Sequence, residues 1–477
     1  MARQGAKTGR SPLQQESELT LEPTFTADRT FHPGVSHRVF LCACLCAALV
    51  FSISARGETL LEAYKLALQS DPKYKGAQAE ALAVGTAIDQ AIAGFLPTIK
   101  LDLDSTDSRQ RVLSSQNITF NAGLATYPTK NYTLSVNQPI FRKDVIERYG
   151  QAQSVVKQAG YTLLAAEQDL LLRTTAAYLV VLAATDNVAL ARTERETVGK
   201  VLEFASEKLS RGLGTITNKH DATARFAAAQ AREIEAQHKL RDARQALREI
   251  TGKLIDNMQA LREEFPLEAP QPAAVEPWLE SALEQNLLLR AKREAVEVAQ
   301  QEIDRQRAGY FPSLSILATH NRRDAGSTLY GGGSDTETTD VTLRLSVPIF
   351  EGGLTTATTQ EAAHRYQRSL EELEQERRTV ERATRASFDA TVSGVALVDA
   401  LKHGVVAQQS ALEAKAEGAK SGLYAVMPVL DATRDLYLVK RDYAQARYDY
   451  LYNRLRLKQA AGTLSEIDLV QIGAALQ

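Results

Sequence analysis

Two windows of this 477-residue chain lack proline for unusual lengths, from Pro139 to Pro266 and from Pro348 to Pro428. Within the first, Arg142–Arg211 is dense in Ala, Leu, Glu, Arg and Gln and holds only three glycines. Helix formers without breakers predict one continuous helix of about 70 residues, roughly 105 Å long at its ordinary rise. A compact domain has no place for such a rod; coiled coils and helices bridging distant places do. The second window repeats the pattern. Each predicted helix ends in a short turn, Gly212-Leu213-Gly214 or Gly422-Leu423-Tyr424. A second helical run follows each turn, and Asp221-Ala222-Thr223 returns later as Asp431-Ala432-Thr433. The chain is built twice, and that duplication fixes its architecture.

The front of the chain is of another kind. Leu41–Ile53 is a short apolar run after Arg38, followed by the small residues Ser54 and Ala55, which is the pattern of a cleaved secretory signal. Residues 1–57 are therefore expected to be an N-terminal extension and signal peptide, with translation starting near Val35 because the preceding 34 residues are too polar for an n-region. All three cysteines (Cys42, Cys44, Cys46) fall inside it, leaving no disulfide or thiolate metal site behind. The apolar run continues past Cys44, which argues against a lipidation box. A formal net charge of −2 gives no footing for nucleic acid. No later segment approaches 18 consecutive apolar residues, so a membrane would have to be crossed by something other than helices.

Strands supply the alternative. Ile99, Leu101 and Leu103 alternate with Lys100, Asp102 and Asp104, and Tyr132, Leu134 and Val136 alternate with Thr133 and Ser135. Val341, Leu343 and Leu345 do the same against Thr342 and Arg344. The expected first repeat spans 58–264, with strands about 98–108 and 131–141 and helices about 142–211 and 218–252. A Pro-rich linker, 265–277, leads to a second repeat, 278–477, with strands about 313–321 and 339–350 and helices about 351–421 and 428–462. Arg109–Lys130 and Arg322–Thr338 read as long polar loops on one side only, the pattern of an outer-membrane sheet. Four strands do not close a barrel and an open edge is forbidden in lipid, so several chains must join; three would supply twelve strands.

No chemistry stands out. The seven histidines are scattered, and His-Glu-x-x-His, phosphate-binding glycine loops and Gly-x-Ser-x-Gly are all missing. The reading is of a non-enzyme with no cofactor and no metal site.

The Ala-Gly-aromatic-x-Pro junctions ending at Pro97 and Pro312, the Pro-Ile-Phe runs ending at Phe141 and Phe350, and the Gly-Leu tips together resemble the TolC family of outer-membrane channels. The likeness runs from about Glu58 to the end and is strongest over Pro428–Leu469, with Val429-Leu430-Asp431-Ala432-Thr433 and Ala446-Arg447-Tyr448-Asp449-Tyr450. It implies a mixed α/β membrane protein, mostly α, with coiled-coil hairpins in two structural repeats and four transmembrane strands per chain. A homotrimer would close a 12-strand barrel in outer-membrane lipid above a 12-helix periplasmic tunnel. The partners implied are a periplasmic membrane-fusion adaptor and an inner-membrane ABC transporter. The Leu464–Leu469 ending is similar to the type I secretion branch, whose cargo is an unfolded secreted protein such as a protease or adenylate cyclase toxin.

The resemblance also names site residues. Asp431 matches one of two pore-lining aspartates, while the other is replaced by Pro428. Tyr424 and Asn218 stand where the family clamps its closed tip, and Asp221 repeats Asp431 in the first half; with Asp431 these are the expected pore constriction. Gly212, Leu213, Gly422 and Leu423 would form the adaptor-contact tip, although helix C-caps alone also account for the glycines, and a first-turn aspartate alone accounts for Asp431 and Asp221. Two rivals remain: a multidrug efflux duct of the same fold, and a soluble periplasmic coiled-coil scaffold.

Overall fold

The computed structural model describes residues 59–114, 123–327 and 332–476. The expected signal region and its cysteines lie outside the described residues. The described residues open with α1 (Leu60–Ser70), α2 (Pro72–Gly85) and α3 (Ala87–Ala93), then strands β1 (Thr98–Val112) and β2 (Gly123–Phe141). The long helix α4 (Lys143–Ser210) turns back into α5 (Ile216–Thr251). The second half gives α6 (Glu276–Gln285), α7 (Leu287–Arg307), β3 (Ser313–Ala325) and β4 (Ser334–Ser346). The long α8 (Leu354–Lys420) turns into α9 (Val426–Ala460), and α10 (Glu466–Gly473) ends the described fold.

Local chemistry sets these boundaries. A capping box opens α1: Glu62 N donates to Thr59 Oγ1 (3.2 Å), and Thr59 N donates to Glu62 Oε2 (2.7 Å). Asp71 caps α2, accepting from Tyr74 N at 2.7 Å with Pro72 in the first turn. The Asp71 side chain is almost fully buried; burial opposes its charge, but the bidentate Arg173 guanidinium and the Tyr74 N–H outweigh that and hold its carboxyl below the usual range. That pair fastens α2 to α4.

The helical segment that leads into β3 is two helices, α6 and α7, not one. Asn286 breaks it, accepting from Leu289 N (3.1 Å) as the cap of α7 and donating from Nδ2 to Ala460 O (3.1 Å) at the end of α9. The junction is tight: Gly462 has φ +76°, and a Cβ there would lie 2.5 Å from the carbonyl carbon of Gln285.

Along α5, Ala222, Ala229, Ala236 and Ala243 recur at every seventh residue, all buried, and α4 answers with Ala191, Val198 and Ala205. Such an interval keeps one narrow face on the partner helix, and small side chains let the two axes approach closely. Two reciprocal ion pairs fix the register. Arg232 Nη2 reaches Glu194 Oε1 at 2.6 Å, and Arg195 Nη1 reaches Glu233 Oε2 at 2.9 Å. The main core lies where Leu60, Tyr64, Leu170, Tyr178, Leu247, Tyr450 and Leu455 meet. Although the sequence suggests no membrane-crossing helix, α4 and α8 each hold an 18-residue stretch apolar enough on composition alone to cross a membrane. In α4 the apolar run Leu170–Leu182 instead contributes to that core.

The four strands form one antiparallel sheet in the order β1-β2-β3-β4. They are longer than expected, and the presumed long loops are largely strand. β1 continues to Val112 and β2 begins at Gly123, paired throughout, while β3 runs to Ala325 opposite Ser334. In these outer parts neither face keeps a run of apolar residues, so the period-two apolar signal stops although the ladder does not. At the other end β2 includes Phe141, by way of a bulge against β3, but β4 stops at Ser346. Pro348–Phe350 is therefore not strand, and α8 begins at Leu354, beyond Gly352 and Gly353, both at positive φ.

Candidate functional site

Two regions carry functional geometry: one face of the sheet, and the pair of helix-hairpin tips.

Each strand contributes one apolar triplet to the same face: Ile99/Leu101/Leu103, Tyr132/Leu134/Val136, Leu314/Ile316/Ala318 and Val341/Leu343/Leu345. In the single chain this face is uncovered, with Leu101 62%, Leu343 67% and Val341 75% exposed. The opposite face carries Lys100, Asp102, Thr133, Asn321, Asp340 and Arg344, and Asn321 Nδ2 donates there to Asn131 Oδ1 and Thr133 Oγ1, both at 2.8 Å. The apolar band slopes. Leu101 pairs with Leu134 and Ile316 with Leu343, but Ile316 stands opposite Gln138, four residues along β2 from Leu134.

Both tips are Schellman turns. Gly212 (φ +72°) lets Leu213 N donate to Lys208 O at 2.9 Å, and Gly422 (φ +84°) lets Leu423 N donate to Gly418 O at 2.7 Å. In such a motif the residue after the glycine commonly folds back on the helix. Here Leu213 and Leu423 stay 75% and 76% exposed, two apolar points facing outward. Tyr424 lies along its own helix end: a Cβ on Gly418 would sit 2.3 Å from the Tyr424 ring, so glycine is what admits the ring. Asn218 is half-buried, and its backbone N–H donates to Thr215 Oγ1 (3.3 Å), the cap of α5.

Cross-links between the two hairpins complete the site, and sequence reasoning missed them. Lys208 Nζ donates to Ala419 O (3.1 Å) and rests over the Phe204 ring. Arg225 Nη2 meets Asp431 Oδ1 at 2.9 Å, joining α5 to α9. Asp431 is thus brought to a cation of the first repeat, while Asp221 makes no ion pair among the described residues. Neither lysine nor arginine carries a motif; only the 210-residue repeat brings 225 and 431 to one level. Beside them an apolar groove of about 290 Å³ runs between α4, α8 and α9, lined by Val201, Phe204, Leu412 and Val429, with Lys200 and Lys420 on its rim.

Residues 63–253 and 278–463 match the family described as outer membrane efflux protein. The chain is 31% identical to the outer membrane protein TolC of Vibrio cholerae, over 88% of this chain and 94% of that one. It is 30% identical to the alkaline protease secretion protein AprF of Pseudomonas aeruginosa, over 87% and 86%. Its fold is similar to that of the Campylobacter jejuni CmeC outer membrane channel, with a TM-score of 0.74 at 15% identity, covering 89% and 94%. The chain belongs to the outer membrane efflux protein family and is a TolC-type channel protein of the outer membrane.

Proposed function

We propose that three copies of this chain close a 12-strand barrel in the outer membrane, continued by a 12-helix periplasmic tunnel, and that the duct exports an unfolded protein by type I secretion. The observation that carries the reading is the sheet: one continuous apolar face, uncovered, on strands whose two outer edges lack partners among the described residues. In water such a face and such edges are aggregation surfaces; in a closed barrel the face meets lipid and the edges meet each other. The slope of the apolar band agrees, because barrel strands tilt and residues at one depth then slip along the ladder.

Energy comes from elsewhere. An inner-membrane ABC transporter would drive the cargo and a periplasmic adaptor would grip the tunnel's end. Leu213 and Leu423, presented by Gly212 and Gly422, are the outward apolar points for that grip. Asp431, repeated three times around the axis, would form an acidic ring at the constriction, tempered by Arg225, with Asp221, Asn218 and Tyr424 close to the same level. The similarity to a protease secretion protein favours protein cargo over small toxic compounds.

Fractionation and detergent sizing test the architecture: an outer-membrane trimer is expected, and a soluble periplasmic monomer would end the reading. Deletion separates the roles. Loss of a secreted protein supports type I secretion, whereas sensitivity to small toxic compounds with normal secretion supports an efflux duct.

A further inference from the structure

The sheet has two open edges, β1 and β4, whose outward backbone groups have no strand partner among the described residues. Building on the trimeric reading, we propose the register in which β4 of one copy meets β1 of the next: antiparallel, with Leu101 of the partner subunit opposite Leu345.

Three observations select it. The first is polarity. Apolar residues occupy odd positions on both β1 and β4, so only registers that set odd against odd keep one apolar face. The second is charge. With Leu101 opposite Leu345, the partner's Asp102 faces Arg344 on the polar side, and the partner's Arg109 and Arg111 face Glu337 and Asp335 on the other, beyond the apolar band. Ile99 and Leu103 of the partner subunit meet Val347 and Leu343 below them. All of these residues are exposed in the single chain, and all thirteen residues of β4 gain a partner on β1. Asp335 and Glu337 already contact Arg322 and His320 of their own chain, at 2.8 and 3.4 Å, so they stand ready between two strands.

The neighbouring registers fail. Sliding two residues so that the partner's Leu101 faces Leu343 sets Lys100 against Arg344, Asp104 against Asp340 and Asp107 against Glu337, three like-charge pairs. Sliding the other way, to Val347, keeps two opposite-charge pairs, the partner's Asp104 with Arg344 and the partner's Arg111 with Glu337, but sets the partner's Asp107 against Val341 on the apolar face and carries Ser334 and Asp335 past the end of β1.

The third observation is tilt. The apolar band slips four residues between β2 and β3. The proposed joint adds two more. Six residues at 3.3 Å over four strand spacings of 4.8 Å correspond to a tilt of about 45°, the value for transmembrane barrel strands. The register with the partner's Leu101 at Val347 would need about 54° by the same spacings, above the usual 35–45°.

Cysteine pairs test the joint in the intact outer membrane, in a chain whose own cysteines all lie at positions 42–46. Asp102→Cys with Arg344→Cys is expected to give covalent trimers on mild oxidation. Asp102→Cys with Thr342→Cys or with Ser346→Cys is expected to give several-fold less, because diagonal neighbours sit about 7–8 Å apart and a disulfide needs Cβ atoms about 4 Å apart. Preferred cross-linking of either diagonal pair would overturn the register and leave the trimeric barrel standing. If no pair cross-linked in protein that fractionates with the outer membrane, both the joint and the closure would be refuted. As an independent readout, Arg109→Glu or Glu337→Arg alone should lower the yield of SDS-resistant trimer several-fold, and the two together should restore it. Failure of the double variant to rescue would also count against the register.

Discussion

Replacing Leu343 by arginine puts the reading of the sheet to a direct test. Leu343 lies at the centre of the β4 triplet, opposite Ile316 and flanked on the same face by Val341 and Leu345. If that face meets lipid, an arginine there costs about 2–4 kcal/mol at the bilayer midplane. Threefold repetition brings the cost to about 6–12 kcal/mol per barrel, on the same scale. At 1.4 kcal/mol per tenfold, even the lower figure shifts assembly by about four orders of magnitude. The neighbouring substitution Thr342→Arg is the control. Thr342 pairs with Leu317 on the other face, which already carries Arg344 two residues on, so an arginine there should be tolerated. Outer-membrane fractionation with SDS-resistant trimer as the readout should show Thr342→Arg assembling normally and Leu343→Arg failing. Equal assembly of the two, or failure of the Thr342 variant alone, would mean that the apolar face does not meet lipid.

Other outcomes follow from the helices. Leu213→Asp combined with Leu423→Asp changes only exposed turn residues, so trimer yield should hold while export falls at least tenfold; normal export would exclude the tips as the adaptor's grip. Gly462→Ala requires a Cβ at positive φ against the Gln285 carbonyl, and the denaturation midpoint of the extracted protein should drop by the equivalent of about 2 kcal/mol or more. Gly473→Ala, with open space around it, should leave the midpoint unchanged. Burial acts against the charge of Glu302, but hydrogen bonds from Arg305, Gln306 and Gln151 outweigh it and bring the carboxyl from 4.5 down to about 2. A carboxyl depressed on folding stabilises above its unfolded value and loses that contribution as pH falls towards about 2. Acidification from pH 5 to 2.5 should therefore lower the midpoint of the native protein more than that of Glu302→Gln; parallel curves would contradict this.

What the sequence disclosed, and what it hid, divides along physical lines. The long helices were legible because breakers are absent over some 70 residues, and the glycines at 212 and 422 ended them within a residue or two. The cores of the strands were legible wherever one face is apolar. Above Leu103 and Ala318 the alternation vanishes because neither face keeps a run of apolar residues, so Arg109–Lys130 read as loop although residues 109–112 and 123–130 are paired. Asn286 hid a helix break for a different reason: in an otherwise helical pattern nothing local shows that its side chain caps one helix and binds the end of another. At the tips the residues 212, 213, 422 and 423 were visible as turn chemistry. Arg225 and Lys208 were not, since their partners lie about 210 residues away and an arginine or lysine on a helix ordinarily marks only a solvated face.

The duplication gives that last pair a further meaning. Position 225 of the first repeat corresponds to 435 of the second, as 221 corresponds to 431. Arg225 and Asp431 attract at 2.9 Å across the joint between the two hairpins of one chain. In the proposed trimer the equivalent joint, between one chain's second hairpin and the next chain's first, would bring Asp435 towards Asp221 of the partner subunit. Those charges repel, and Arg434, 2.8 Å from Asp435, offsets only one of them. Six pseudo-equivalent joints thus alternate between attractive and repulsive, so the tunnel's end is expected to part between chains and stay fastened within them. Asp435→Arg should convert the repulsive joint into a copy of the attractive one. The expected result is a normally assembled trimer with export reduced several-fold and smaller single-channel conductance in planar bilayers. Adding Asp221→Arg to that variant should restore both by making the joint repulsive again. Unchanged conductance in Asp435→Arg would show that charge at this level does not govern the opening.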